Sequence, residues 1–319
     1  MKAMTIQHYG DVDQFELADR PAPSVPRGQV LVRVHGSSVN PVDAAIRQGL
    51  LARFIRLDMP AVLGVDVSGE VMAVGEGVER FAVGDRVYAY TGPGLGGGYG
   101  ELATVPEEYL ARVPERLDLV TAGSVPGVGA TAYEAFTVHA PLQPGMRVFI
   151  NGAAGGVGTY AIQVARAMGA RVTGSCSPAK AALVERLGAQ VVDYTTGEPF
   201  PGAGTYDVVL NAVREADEGM LRGLLRRGGT LVSIVGGPLD MVKAKVTNLV
   251  RATKTVPFIV SSKAACLEGI SALIEDGAVE PVVEQVYPLA ELADAHRRVE
   301  TGRVAGKICI DVTSVWGPN

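Results

Sequence analysis

The segment VFINGAAGGVGTYAIQVARAMGARVTGSCSPAK, residues 148–180, constrains the fold of this chain more than any other. A short apolar strand runs into a glycine-rich turn. The turn opens a helix, and the helix leads to a second strand. Val157, Ala161, Val164, Ala165 and Met168 recur at helical spacing, and Gly169 ends the helix. Such a unit binds a dinucleotide when its turn is tight, its backbone can approach a pyrophosphate and its helix packs closely on its strand. The helix start then offers unpaired N–H groups and a positive dipole end to the phosphates. Ala154, Gly155, Gly156 and Val157 are the expected phosphate-binding turn. Gly155 and Gly158 take the second and third glycine positions. Ala153 takes the first, so the strict pattern is missed by one methyl group.

The end of the second strand bears on which dinucleotide binds. A site for NAD usually carries an acidic residue there, which hydrogen-bonds the ribose 2′-hydroxyl. This chain reads Gly174-Ser175-Cys176-Ser177, without Asp or Glu, and Lys180 follows. Ser175, Ser177 and Lys180 together suit a 2′-phosphate, so NADPH is expected rather than NADH. Lys180 as an ordinary solvated helix residue is the competing reading.

The pattern of alternating strand and helix continues from about Gly145. Gln190 to Tyr194, Tyr206 to Val213 and Thr230 to Val235 read as further strands of a parallel sheet covered on both faces. Asn211, Val213 and Gly236 end successive strands, where ligands of such sheets gather. The first hundred or so residues differ: short β-branched runs punctuated by glycine predict a β-rich unit. One helix interrupts them from Pro41 to Gln48, capped by Asn40 and stopped near Gly49. Strand character returns in the last forty residues or so.

The fold class is therefore α/β. The 47% hydrophobic and 20% charged content excludes disorder. A net charge of −5 supplies no overall basic field for nucleic acid or anionic lipid. Three separated cysteines fit a reduced compartment, and the N-terminus lacks the apolar core of a signal peptide, so a cytoplasmic protein is expected, with neither nucleic acid nor membrane as partner.

NPVDAAIRQG, LGVDVSGEVMAVGEGVERFAVGDRV, AAGGVG and the closing GRVAGKICIDV resemble the zinc-independent medium-chain dehydrogenases/reductases, in particular the zeta-crystallin-like quinone oxidoreductases. The resemblance implies a GroES-like β-rich catalytic domain from residues 1–120 and 260–319. A Rossmann NADPH-binding domain, a doubly wound parallel sheet, occupies residues 121–259, with the cofactor in a cleft and a homodimer as the assembly. It implies that Asn40 and Thr131 lie near the nicotinamide, with Asn40 as an amide donor toward the acceptor oxygen. Tyr194 would lie at the adenosine phosphate and Lys307 close to the cofactor. Each has a plainer reading: Asn40 as helix cap, Thr131 as a hydroxyl at a helix N-terminus, Tyr194 as a half-buried sheet aromatic, Lys307 as a surface lysine on an edge strand. Asp43 is a candidate catalytic residue, with a stronger claim as a first-turn helix acid.

No metal is expected. A catalytic zinc needs about three Cys, His or carboxylate ligands, whereas Asn40 and Val65 stand where zinc-dependent relatives carry Cys and His. Without that Lewis acid, hydride donation to a quinone or an α,β-unsaturated carbonyl is the expected reaction. Reduction of an enoyl thioester, and NADPH binding without turnover as a structural or RNA-interacting protein, are the competing functions.

Overall fold

A computed structural model describes residues 1–197, 200–235, 238–249, 251–261 and 263–316. The chain forms two units. One comprises Met1–Gly127, Ser261–Glu275 and Pro281–Asn319; the other comprises Val128–Val260 and Asp276–Glu280. The expected boundaries, after residues 120 and 259, therefore shift. The first moves because Leu119–Ala122 is a helix packed on the strand Gln29–Val39. Gly36 and Gly123 meet there without side chains, and a Cβ on Gly36 would lie 2.5 Å from the Leu119 carbonyl oxygen. Residues 276–280 join the second unit because Gln163 pairs with the Glu280 backbone in both directions, at 3.0 and 2.9 Å.

The second unit is built on six parallel strands. Their spatial order is Gln190–Asp193, Arg171–Cys176, Arg147–Asn151, Tyr206–Asn211, Leu225–Ser233 and Lys254–Pro257. Numbered along the chain this is 3-2-1-4-5-6, the doubly wound order, whose reversal point lies between Arg147–Asn151 and Tyr206–Asn211. Val148, Phe149 and Ile150 are fully buried, as expected for strands covered on both faces. The strand expected from Thr230 begins at Leu225, because buried Leu225 already pairs with Tyr206. It is internal; Lys254–Pro257 forms the edge.

The glycine turn explains the apparent defect in the motif. Gly152, at φ +88°, supplies the left-handed residue that the tight turn needs. Ala153 is fully buried with its methyl group against Gly174, where an added Cβ would lie 2.5 Å away. The methyl group missing from position 174 is thus present at position 153. A Cβ on Gly158 would lie 2.2 Å from the Gly152 carbonyl oxygen, so close helix–strand packing fixes that glycine.

The first unit holds a seven-stranded sheet. Six strands follow one another as Val283–Pro288, Lys307–Asp311, Gln29–Val39, Asp66–Val74, Arg86–Tyr90 and Leu110–Arg112; Leu102–Pro106 also pairs with Gln29–Val39. The sheet is antiparallel apart from the pairing of Val283–Pro288 with Lys307–Asp311. A second sheet of three strands joins Phe15–Asp19, Lys2–Ile6 and Ala61–Val62. The helix Pro41–Arg47 follows the long strand, as the sequence predicts.

Gly158→Ala and Gly174→Ala should each destabilise the protein by about 1–3 kcal/mol through overpacking, and lower the thermal midpoint by several degrees. Gly94→Ala, where the added methyl meets open space, should leave the midpoint unchanged or slightly raised. Thermal denaturation of the three variants checks this.

Candidate active site

The first unit buries a cluster of ionisable groups at the start of the helix Pro41–Arg47. Asp43 and Asp66 are 0% exposed and Lys307 is 4% exposed. Charges taken out of water persist only when paired and hydrogen-bonded, and these are. Asp66 Oδ2 accepts from Ser38 Oγ at 2.5 Å and Asn40 Nδ2 at 2.7 Å. Asp66 Oδ1 accepts from the Gly127 N–H at 2.7 Å, in the first turn of the helix Pro126–Glu134. Asp43 Oδ2 accepts from the Asn40 backbone N–H at 2.9 Å and from Asn40 Nδ2 at 3.3 Å. Asp43 Oδ1 accepts from the Val65 N–H at 3.1 Å. Lys307 Nζ donates to Val39 O at 3.0 Å and Asn40 Oδ1 at 2.7 Å, and stands 4.0 Å from Asp66 Oδ2.

This network sets the orientation of the Asn40 amide. Lys307 can only donate, so Oδ1 faces it; Nδ2 then faces the two carboxyl groups. Both N–H groups of the amide are engaged inside the protein, and the amide donor expected for an acceptor oxygen is spent on Asp43 and Asp66. Lys307 is likewise neither on the surface nor on an edge. Its strand pairs with Val283–Pro288 on one side and Gln29–Val39 on the other, and its ammonium faces the cluster.

Burial pushes the Asp43 carboxyl up to about 7, helped by the Asp66 charge and opposed by the Asn40 hydrogen bonds and Lys307. Burial also draws Lys307 below its ordinary value, against the pull of Asp66 and Asp43. Tyr99 donates to Ser38 O at 3.2 Å, and its hydroxyl lies 3.3 Å from His296 Nε2. Burial holds Tyr99 well above the usual phenol range, and burial with nearby Arg47 brings His296 down to about 3, so that imidazole is neutral.

In the second unit the glycine turn leads into the helix Gly156–Ala167, whose cap residue, Gly155, has no side chain to occupy the first N–H groups. Gly155, Gly156 and Val157 are half-buried, and Ala154 is buried. A Cβ on Gly155 would meet only the Gly152 carbonyl oxygen, at 3.5 Å. Protein packing thus leaves the outer side of the turn open, which fits a pyrophosphate. Beneath the turn lies a polar brace. Ser175 Oγ donates to Asn151 Oδ1 at 2.8 Å and accepts from the Gly152 N–H at 3.3 Å. Asn151 Nδ2 donates to Asn211 Oδ1 at 3.0 Å, which also accepts from the Val213 N–H at 3.1 Å.

The brace corrects one expectation. Ser175 is buried with its hydroxyl committed, so it supports the turn and is unsuited to a 2′-phosphate. Ser177 is half-buried and precedes the short helical turn Pro178–Lys180. The neighbouring strand ends in Asp193, in register with Cys176; its Oδ1 accepts from the Thr195 N–H at 2.8 Å and hydroxyl at 2.7 Å. Tyr194 is 55% exposed and follows that strand, so it is not a half-buried sheet aromatic. Thr131 is buried five residues into its helix, not at the N-terminus. Gly236 lies outside the described residues. Sequence reasoning missed Asp66, Ser38 and Asn151. For Asp66 there was a signal: a lone carboxylate in the apolar run LGVDV.

A doubly wound nucleotide-binding sheet with a glycine turn, in one chain with a β-rich unit that holds a buried polar cluster, defines an oxidoreductase of the two-domain dehydrogenase type. Residues 26–115 match the family described as alcohol dehydrogenase GroES-like domain, and residues 187–310 match the one described as zinc-binding dehydrogenase. The chain is 31% identical to a chloroplast envelope quinone oxidoreductase homolog of Arabidopsis thaliana, covering 98% of each. It is 33% identical to the mitochondrial NAD(P)H oxidoreductase RTN4IP1 of Homo sapiens, over 89% of this chain and 82% of that protein. The quinone oxidoreductase from Coxiella burnetii superposes with a TM-score of 0.86 at 28% identity, covering 98% and 99% of the two chains. The chain belongs to the zinc-independent quinone oxidoreductase family of medium-chain dehydrogenases/reductases. Among the described residues no group of three His, Cys, Asp or Glu side chains is placed to hold a metal, and no helix is long and apolar enough to cross a membrane.

Ser175→Ala removes the brace from beneath the turn and leaves buried partners unpaired, at an expected cost of about 1–3 kcal/mol. Ser177→Ala should stay within about 0.5 kcal/mol of the parent. Urea denaturation of both variants tests which serine is structural.

Proposed function

We propose that this chain is an NADPH-dependent reductase of quinones or α,β-unsaturated carbonyls. The observation that carries this reading is the match, along nearly the whole chain, to the quinone oxidoreductase homolog of Arabidopsis thaliana. A second relative, 32% identical over 97% of this chain, is the NADPH-dependent alkenal/one oxidoreductase of the same plant. NADPH, when bound, supplies the hydride for a conjugated acceptor. The chain's own residues bind and orient. The Gly155 N–H closes the turn by donating to Gly152 O at 3.1 Å, so the N–H groups of Gly156 and Val157 would hold the pyrophosphate, Ser177 and Lys180 the 2′-phosphate, and the exposed Tyr194 ring the adenosine. Asn151, Asn211 and Ser175 hold the turn in shape, and Val213 packs beneath it, 3.0 Å from where a Gly152 Cβ would stand. In the first unit, the segment that begins at Asn40 is assigned to the acceptor end, with Asp43 holding Asn40 from behind; in the second unit, Thr131 is assigned to the nicotinamide. Conjugation disperses the charge that develops on the acceptor, so alignment is the main task of the site.

The edge strand Lys254–Pro257 is where a second copy of the chain would pair, since an unpaired apolar edge is an aggregation liability. Light scattering that finds only monomer at micromolar concentration removes the homodimer.

Purified protein should oxidise NADPH with some member of a panel of quinones and enones, followed by absorbance. Tight NADPH binding without turnover on any of them overturns the reductase reading; turnover confined to acyl-thioesters redirects it to an enoyl-thioester reductase. For cofactor choice, Lys180→Ala should weaken NADPH binding by roughly 10- to 100-fold and NADH binding far less. Ser177→Asp should go further by repelling the phosphate. If wild type prefers NADH by calorimetry, or neither substitution changes the ratio, the 2′-phosphate assignment is wrong.

A further inference from the structure

The buried cluster does not balance electrically as a set of fully ionised groups. Asp43 and Asp66 contribute two negative charges and Lys307 one positive charge, and all three are buried. The other polar or titratable groups around it do not compensate. Tyr90 and Tyr99 are buried phenols held protonated, Cys309 is a buried thiol pushed up to about 12, and His296 is neutral. Arg47, on the same helix as Asp43, is committed to Glu300 and to the Gly10 carbonyl oxygen at 2.8 Å. An uncompensated buried charge is costly, so the cluster retains one proton.

We infer that Asp43, Asp66 and Lys307 form one electrostatic unit in which Asp43 holds a proton and Asp66 is a positioning residue. Through Asp43 and Asn40, it keeps the acceptor end of the site electrically neutral while reduction builds negative charge on the acceptor. The location of the acceptor rests on the proposed function; the proton count does not. Asp66 is the hub by geometry. One carboxylate fixes Ser38, the Asn40 amide and the start of the helix Pro126–Glu134, and stands nearest the Lys307 ammonium. The same Asn40 Nδ2 bridges to Asp43, so the two carboxyl groups share a donor and sense each other's charge. When Asp43 loses its proton, the unit carries a net negative charge next to Asn40 and opposes a developing oxyanion.

The test uses wild type, Asp66→Asn, Asp66→Glu and Asp43→Asn, with kcat/KM and thermal midpoints measured from about pH 5 to about pH 9. In wild type, kcat/KM should fall as pH rises through an ionisation near 7. Asp66→Glu keeps that ionisation. Asp66→Asn leaves Asp43 and Lys307 as a balanced pair, and Asp43→Asn leaves Asp66 and Lys307, so in both the fall should vanish. Asp66→Asn should also lower kcat by about 10- to 100-fold through misplacement of Asn40, with less effect on KM for NADPH.

Stability supplies a readout that needs no substrate. The folded Asp43 has a raised value, so the native state binds the extra proton between about pH 4 and about pH 7. Its contribution to stability is therefore lost as pH rises across that window, and Asp66→Asn and Asp43→Asn should both flatten the slope. A changed slope with no reductase activity keeps the cluster and overturns the function. Activity with neither slope nor pH profile altered overturns the cluster. Should Asp66→Asn fail to fold, Asp43→Asn decides the same question.

Discussion

The fully buried Asp66 carboxylate is the constraint on which the first unit is arranged. A carboxylate in that position must find donors within the protein, and it finds them on two other segments. Ser38 and Asn40 come from the end of the long strand and the residue after it, and Gly127 from the start of a helix, while Lys307 on the closing strand stands 4.0 Å away as a countercharge. These segments are far apart in sequence. Lys307–Asp311 lies against Gln29–Val39 in the sheet, and the ammonium at its first residue reaches Val39 O and Asn40 Oδ1. Removing either partner from such a set costs more than the pair itself contributes, because the remaining charge is stranded.

The second unit shows the same logic in a milder form. Its turn carries no polar side chain of its own between Gly152 and Val157, so the polar support comes from beneath. Ser175, Asn151 and Asn211 supply it across three adjacent strands. Steric complementarity completes the arrangement: Gly174 leaves the space that the Ala153 methyl group fills. A position that reads as a weakened motif in sequence is a compensated pair in three dimensions.

What the sequence made legible follows from what is local. Alternating apolar runs, the glycine turn and the helix after Asn40 are short-range signals, and they specified the α/β class and the two kinds of unit. What stayed hidden depends on contacts between distant segments. Lys307 reads as a surface lysine because nothing near it in sequence announces Asn40 or Asp66. Ser175 reads as a ligand contact because its strand position is right, yet period-2 alternation gives it no clear face: Val172 through Cys176 are all buried. The domain boundary slipped for a related reason, since the docking of Leu119–Ala122 rests on two glycines, Gly36 and Gly123, whose need for one another is purely spatial.

The division between Ser175 and Ser177 has a further consequence for how such a site can change. Two residues apart, one faces the core and carries the turn, while the other stands at the rim with Lys180. A change at position 175 alters the backbone that any dinucleotide would meet, so it acts on binding in general. A change at 177 or 180 alters the rim without touching the brace. Support of the turn and the character of the rim are therefore carried by separate side chains, and each can vary without disabling the other. The buried cluster of the first unit has no such separation. There, Asn40 is at once helix cap, partner of two carboxyl groups and acceptor for the ammonium, so a substitution at Asn40 disturbs helix start, charge balance and site geometry together.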